Sequence, residues 1–187
     1  MEQKEFISKK KSEVEMVAIA YKIPNFLHPD QTALSALSEL LSSGKSSMLQ
    51  KVLVNDKKMV NQIYGYNMEN RDPSIFMFLA VGNPGIKAED IEKEILKVIK
   101  RVQDGEVSEK DVQKIKTNTK ADFIFSLESS SHVANLFGSY YAKGDINPLL
   151  NYEKRINALT KEDIVDVAKK YLVEHKSTTV ILRKDYR

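Results

Sequence analysis

The 187-residue sequence contains no cysteine, so disulfide staples and thiolate chemistry are both excluded. It has no apolar run near the roughly 20 residues that a membrane span needs. Met1 is followed by Glu2-Gln3-Lys4-Glu5, with no apolar stretch of the kind that marks a secretory signal. Charge of one sign is not concentrated either. The 29 basic and 26 acidic residues are interspersed and leave a formal net charge of +3, against the clustered Lys and Arg of a nucleic-acid surface. These features describe an ordinary globular chain of one domain, with no nucleic-acid partner and no membrane span. The first dozen residues, with Lys4 and Lys9-Lys10-Lys11, read as a polar N-terminal segment (1–12) and the remainder (13–187) as a single domain. Cytoplasm and periplasm are not distinguished.

Val14 to Tyr21 is an apolar stretch closed by Pro24 and predicts a well-buried strand. Asp30 precedes Ala33, Leu34, Leu37, Leu40 and Leu41, the spacing of an amphipathic helix with Asp30 as N-cap, running to Ser42-Ser43-Gly44. A shorter helix follows, starting at Ser46 or Ser47 and carrying Met48, Leu49, Val52 and Leu53. Val60–Met68 and Ile75–Val81 flank Asn70-Arg71-Asp72-Pro73 and predict an antiparallel hairpin, its Tyr64, Tyr66, Phe76 and Phe78 suited to cross-strand packing.

The remainder reads as helical: Ala88–Gln103, Ser108 towards Glu128, His132–Ala142, Pro148–Ala158 and Thr160–Leu172. Ser108 with Asp111 and Thr160 with Asp163 open their helices as capping boxes. Ser177–Arg183 is a closing β-branched strand. Strands grouped apart from helices predict an α+β fold, a mainly antiparallel sheet with helices packed on one face.

Chemical constellations are sparse. Gly44-Lys45-Ser46 has the tail of a phosphate loop, but Glu39 stands where G-x-x-x-x-G-K-[ST] requires its first glycine. The loop would also follow a helix, where a phosphate loop follows a strand. A helix–Gly–helix corner fits better, with Gly44 at positive φ and Ser46 or Ser47 capping the next helix. The histidines His28, His132 and His175 lack the spacing of H-x-x-E-H or H-E-x-x-H. No G-x-S-x-G elbow is present, and carboxylate pairs such as Asp163 with Asp166 suit solvated helix faces. No catalytic residue and no metal ligand is assigned, and no cofactor is expected in this chain.

The ordered pieces "VEMVAIAYKIP", "HPDQTALSALSELLSSGKSSMLQKVLVNDKKMVNQIYGYN", "PSIFMFLAVGNPG", "LTKEDIVDVAKKYL" and "TTVILRK" are similar to a known pattern. Over about residues 13 to 184 the chain resembles the C-terminal, non-catalytic domain of pitrilysin/insulinase-family zinc peptidases, relatives of the mitochondrial processing peptidases. Gly44, Ser46 and Ser47 match that family's Gly-x-Ser-Ser corner. The resemblance implies one half of a clamshell, closing over an unfolded peptide held on a catalytic half. Zinc, bound by H-x-x-E-H and a further glutamate, is expected in that partner. The partner is either the N-terminal catalytic domain of the same polypeptide or a separate catalytic subunit.

Many family members carry an arginine, and seven residues later a tyrosine, that reach the substrate just after the Ser-Ser corner. Those positions fall on Val54 and Asn61, and a slip of a few residues brings in Tyr64; these three are the expected substrate contacts. The start at the first strand favours a domain cut from a longer protein. Two other readings stay open: an inactive scaffold or peptide-binding subunit of a larger assembly, and an unrelated ligand-binding domain.

Overall fold

The computed structural model describes residues 4–10 and 14–184, with side chains described for 14–183. A five-stranded sheet is built from β1 (Lys4–Lys10), β2 (Met16–Ile23), β3 (Val60–Asn67), β4 (Ser74–Gly82) and β5 (Ser177–Lys184), in the order β1-β5-β2-β4-β3. β2 runs antiparallel to both β4 and β5, and β3 antiparallel to β4; only β1 against β5 is parallel. The segment read as polar from its composition thus supplies an edge strand. The α+β expectation holds.

Helices α1 (Gln31–Ser42), α2 (Ala88–Gln103), α3 (Glu109–Phe125), α4 (Ser130–Lys143), α5 (Asn147–Leu150), α6 (Tyr152–Ala158) and α7 (Lys161–Tyr171) complete the chain, with a π-helical segment at Gln50–Asp56. Every second residue of β2 and β4 is fully buried: Val17, Ile19, Tyr21 and Ile23 on one strand, Phe76, Phe78 and Ala80 on the other. This face packs with Leu34, Leu37 and Leu41 of α1, Ile91, Ile95 and Val98 of α2, and Ile164 and Val167 of α7 into one core. Each large side chain so buried contributes roughly 1.5–3 kcal/mol, so this face, more than helix propensity, holds the layers together.

Both predicted capping boxes are present. Ser108 Oγ accepts from Asp111 N–H at 3.1 Å, and Thr160 Oγ1 from Asp163 N–H at 3.2 Å. Asp30 departs from its predicted role. It adopts helical φ −69° and ψ −11° and makes no side-chain cap. Its Oδ2 accepts instead from Lys170 Nζ at 2.6 Å and from Tyr171 Oη at 2.7 Å, tying the start of α1 to the end of α7. The stretch predicted as one helix over 148–158 is two, broken at Asn151, whose amide donates back to the Asn147 carbonyl at 3.0 Å. Such local side-chain bonding competes with helical continuation.

Candidate functional site

Because side chains alternate along a strand, burying one face of the sheet determines the other. The register aligns Gln62, Val81, Met16 and Leu182 in one row, Tyr64, Leu79, Ala18 and Val180 in the next, and Tyr66, Met77, Ala20 and Thr178 in a third. None of these residues is fully buried, and Tyr64, Tyr66 and Val180 are 39%, 42% and 44% exposed. The helices bury the opposite face, so this one presents a largely apolar surface of methionine, leucine, valine and alanine, with Thr178 in its third row and Gln62, Tyr64 and Tyr66 along the β3 edge. Contiguous apolar surface of this kind marks interaction sites in folded proteins.

The aromatic residues of the hairpin divide between the two faces. Phe76 and Phe78 lie in the core with ring centroids 5.3 Å apart, and Tyr21 meets Phe78 edge-on at 6.4 Å. Tyr64 and Tyr66 stack on the open face at 6.1 Å with planes 19° apart. The tyrosine and phenylalanine pairs therefore form along a strand (i, i+2), while among the described residues the one cross-strand ring contact, Tyr21 with Phe78, joins β2 to β4 and lies outside the hairpin.

Asn61 is exposed where the register of β3 against β4 shifts between Val60 and Gln62. Val54 is half-buried and packs against the core from the π-helical segment, where Lys57 N–H bonds the Val52 carbonyl at 3.0 Å in the i→i+5 pattern. Of the three residues singled out from the sequence, only Tyr64 lies on the open face. Tyr66, its stacking partner, was not among them, although the alternation of β3 points to it.

Gly44 takes φ +71°, a left-handed conformation that suits glycine at the end of α1. The serines after it do not cap the following helix. Ser46 Oγ is bonded by Lys114 Nζ, and Ser47 Oγ is buried with no hydrogen-bond partner among the described residues. The corner is instead closed by main chain, Ser47 N–H to the Gly44 carbonyl at 3.2 Å and Lys51 N–H to the Ser47 carbonyl at 3.0 Å.

α1 approaches β3 through Gly65, whose carbonyl accepts from Ser38 Oγ at 3.1 Å and Ser42 Oγ at 3.4 Å. A Cβ on Gly65 would fall 2.3 Å from Ser42 Oγ, so glycine permits the contact that places β3 and its tyrosines.

The residues do not fit a zinc site. His28 precedes α1 and accepts at Nδ1 from Asp30 N–H at 3.1 Å; His132 lies in the first turn of α4; His175 lies in a 3₁₀ turn at Glu174–Lys176. Among the described residues no group of three His, Cys, Asp or Glu could hold a metal ion, and no helix is long and apolar enough to cross a membrane.

Comparison with known proteins agrees with this architecture. The family described as "Peptidase M16 inactive domain" matches residues 2–119. The zinc protease PqqE of Helicobacter pylori is 46% identical over 170 residues, which cover 91% of this chain and 38% of that protein. The crystal structure of a protease from Helicobacter pylori superposes with a TM-score of 0.95 at 44% identity, covering 97% of this chain and 44% of that one. Rat cytochrome b-c1 complex subunit 2 is 26% identical over 159 residues, 80% of this chain and 35% of that protein. The chain thus spans well under half the length of these relatives. With the family model matching residues 2–119 and a relative 46% identical over 91% of its length, the chain belongs to the family of peptidase M16 inactive domains.

Proposed function

We propose that this chain acts as the non-catalytic, substrate-enclosing domain of a zinc-dependent endopeptidase, supplying cavity wall and peptide contacts to a separate catalytic domain with H-x-x-E-H. The observation that carries this reading is the open apolar face with its Tyr64–Tyr66 stack. An extended, unfolded peptide presents alternate apolar side chains, and a flat apolar sheet with rigid aromatic edges receives them at small entropic cost. The 46% identity to a zinc protease supports the activity of the whole, and in this reading zinc and its activated water belong to the partner domain.

The test uses the intact protease carrying this domain. Tyr64→Ala with Tyr66→Ala should raise KM for an unfolded peptide severalfold, leaving kcat and the unfolding midpoint close to those of the parent. Unchanged KM would remove the open face from substrate binding. A second reading, a catalytically inactive scaffold or peptide-binding subunit, is favoured by the likeness to cytochrome b-c1 complex subunit 2. Peptide binding without cleavage in the zinc-loaded intact protein would select it.

A further inference from the structure

A cavity of about 320 Å3 lies on the helix side of the sheet, among α1, α3, α4 and α6. While α1 turns Leu34, Leu37 and Leu41 into the core, its Thr32, Ser35 and Glu39 line this cavity. Glu69 enters from the β3–β4 connection, Asp122 from α3, Tyr140 from α4, and Tyr152 and Arg155 from α6. The lining therefore holds three carboxylates, one guanidinium and two phenol rings.

These charges are not paired with one another. Glu69 Oε1 accepts from Ser35 Oγ at 2.9 Å, and Glu39 Oε1 from Asn118 Nδ2 at 3.5 Å. Among the described residues, the side chains of Asp122 and Arg155 make no hydrogen bond or ion pair, although they line the same cavity. Three carboxylates and one guanidinium thus line the cavity with no ion pair among them, which leaves their charges open to a ligand. The carboxylates are also not grouped so as to hold a metal ion, which leaves a ligand with separated charges.

The field and the rings agree. Burial raises the Tyr152 phenol to about 12, with Tyr140, Glu69, Asp122 and Glu39 adding to the shift. Burial also raises Tyr140, followed by Glu69. Phe26 and Tyr140 meet edge-on at 6.4 Å, and Lys143 Nζ lies 5.6 Å and 5.0 Å from their ring centroids. A cation of the chain itself thus rests on rings that wall the cavity.

We propose that this cavity binds a free basic amino acid, its α-carboxylate on Arg155 and its two cationic groups among Glu39, Glu69 and Asp122. The ligand's two positive charges and one negative mirror three carboxylates and one guanidinium, and its aliphatic stem lies against Tyr140 and Tyr152. A volume at the lower end of small-molecule pockets, roughly 300–1,000 Å3, suits an amino acid better than a peptide or nucleotide. The excess of carboxylates turns away phosphates. The site faces away from the open sheet face, so it stands whether or not that face binds peptide.

Calorimetric titration of the intact protein with L-arginine and L-lysine should show saturable binding and a rise in unfolding midpoint. Agmatine, which lacks the carboxylate, and L-norleucine, which lacks the second cation, should each bind at least tenfold more weakly. Arg155→Gln should erase the preference for arginine over agmatine, and Asp122→Asn should weaken arginine binding at least tenfold, with both variants retaining the parent's circular dichroism. Failure of both basic amino acids to bind saturably would overturn the proposal. So would equal binding of the two analogues, or arginine binding unchanged in folded Asp122→Asn.

Discussion

Glu15 caps a helix that begins 73 residues later: its Oε2 accepts from the Ala88 N–H at 2.6 Å, at the first residue of α2. Glu15 is buried, 6% exposed, and its main-chain carbonyl accepts from Gly82 N–H at 2.8 Å. Lys87, at the N-cap position of α2, provides no side-chain bond, so the carboxylate answers both the orphan N–H and the positive end of the helix dipole. Glu15→Ala should cost about 1–3 kcal/mol, as removal of a charged partner from a buried donor does. Glu15→Gln, which keeps the acceptor and loses the charge, should recover part of this. Urea unfolding of the two variants measures the difference; equal losses would leave the charge without a role.

Gly65 and Ser42 define the closest approach of α1 to the sheet. Gly65→Ala introduces a Cβ 2.9 Å from Ser42 Cβ and 2.3 Å from Ser42 Oγ, so helix or strand must shift. Overpacking of this kind costs about 1–3 kcal/mol. Ser42→Ala in the same chain removes the hydroxyl and should restore part of the loss, giving a positive coupling in a double-mutant cycle. Additive effects would mean that the strain is relieved elsewhere.

What could be read in the sequence was what is local. The capping boxes at Ser108 and Thr160 are complete within four residues, and the apolar run of β2 marked a strand, although not which of its two faces is buried. Gly44 read correctly as a left-handed corner because the penalty for a Cβ there is a property of one residue. Asp30 is the counterexample. It has the residue type and place of an N-cap, but Lys170 and Tyr171, 140 and 141 residues away, take its carboxylate. The pairing of β1 with β5 and the Glu15 cap are likewise long-range choices that no local pattern encodes. On the candidate site, Tyr64 came from a family pattern and an assumed slip of register. Its companion Tyr66 and the apolar rows behind them needed the pairing of β3 to β4 before they formed a surface.

The Asp30 cluster also makes stability depend on pH. Burial acts to raise the Asp30 carboxyl, but the hydrogen bonds from Lys170 and Tyr171 outweigh it and hold the group below the usual carboxylate range. A folded value below the unfolded one means that the contribution is complete above the unfolded value and lost as pH falls through the folded one. Asp30→Asn should therefore be less stable than the parent by about 1 kcal/mol near neutrality. The gap should close once the pH drops well below about 4. Denaturant midpoints at a series of pH values check both halves of this expectation. A gap that persists undiminished in acid would assign the effect to geometry and not to charge.

Zinc content separates this domain from the catalytic half proposed for it. The three histidines sit on three separate elements: the turn before α1, the first turn of α4 and the 3₁₀ turn before β5. His28 Nδ1 is already engaged by the Asp30 N–H, which leaves one ring nitrogen and no neighbouring imidazole to complete a tetrahedral set. The chain dialysed against zinc should retain well below one equivalent by elemental analysis, and a chelator should leave its unfolding midpoint unchanged. Replacing His28, His132 and His175 together by Gln should alter neither result. One tightly held zinc per chain, lost on triple replacement, would mean that the fold brings together ligands that neither their spacing nor their placement unites, and zinc would then belong to this half of the protease as well.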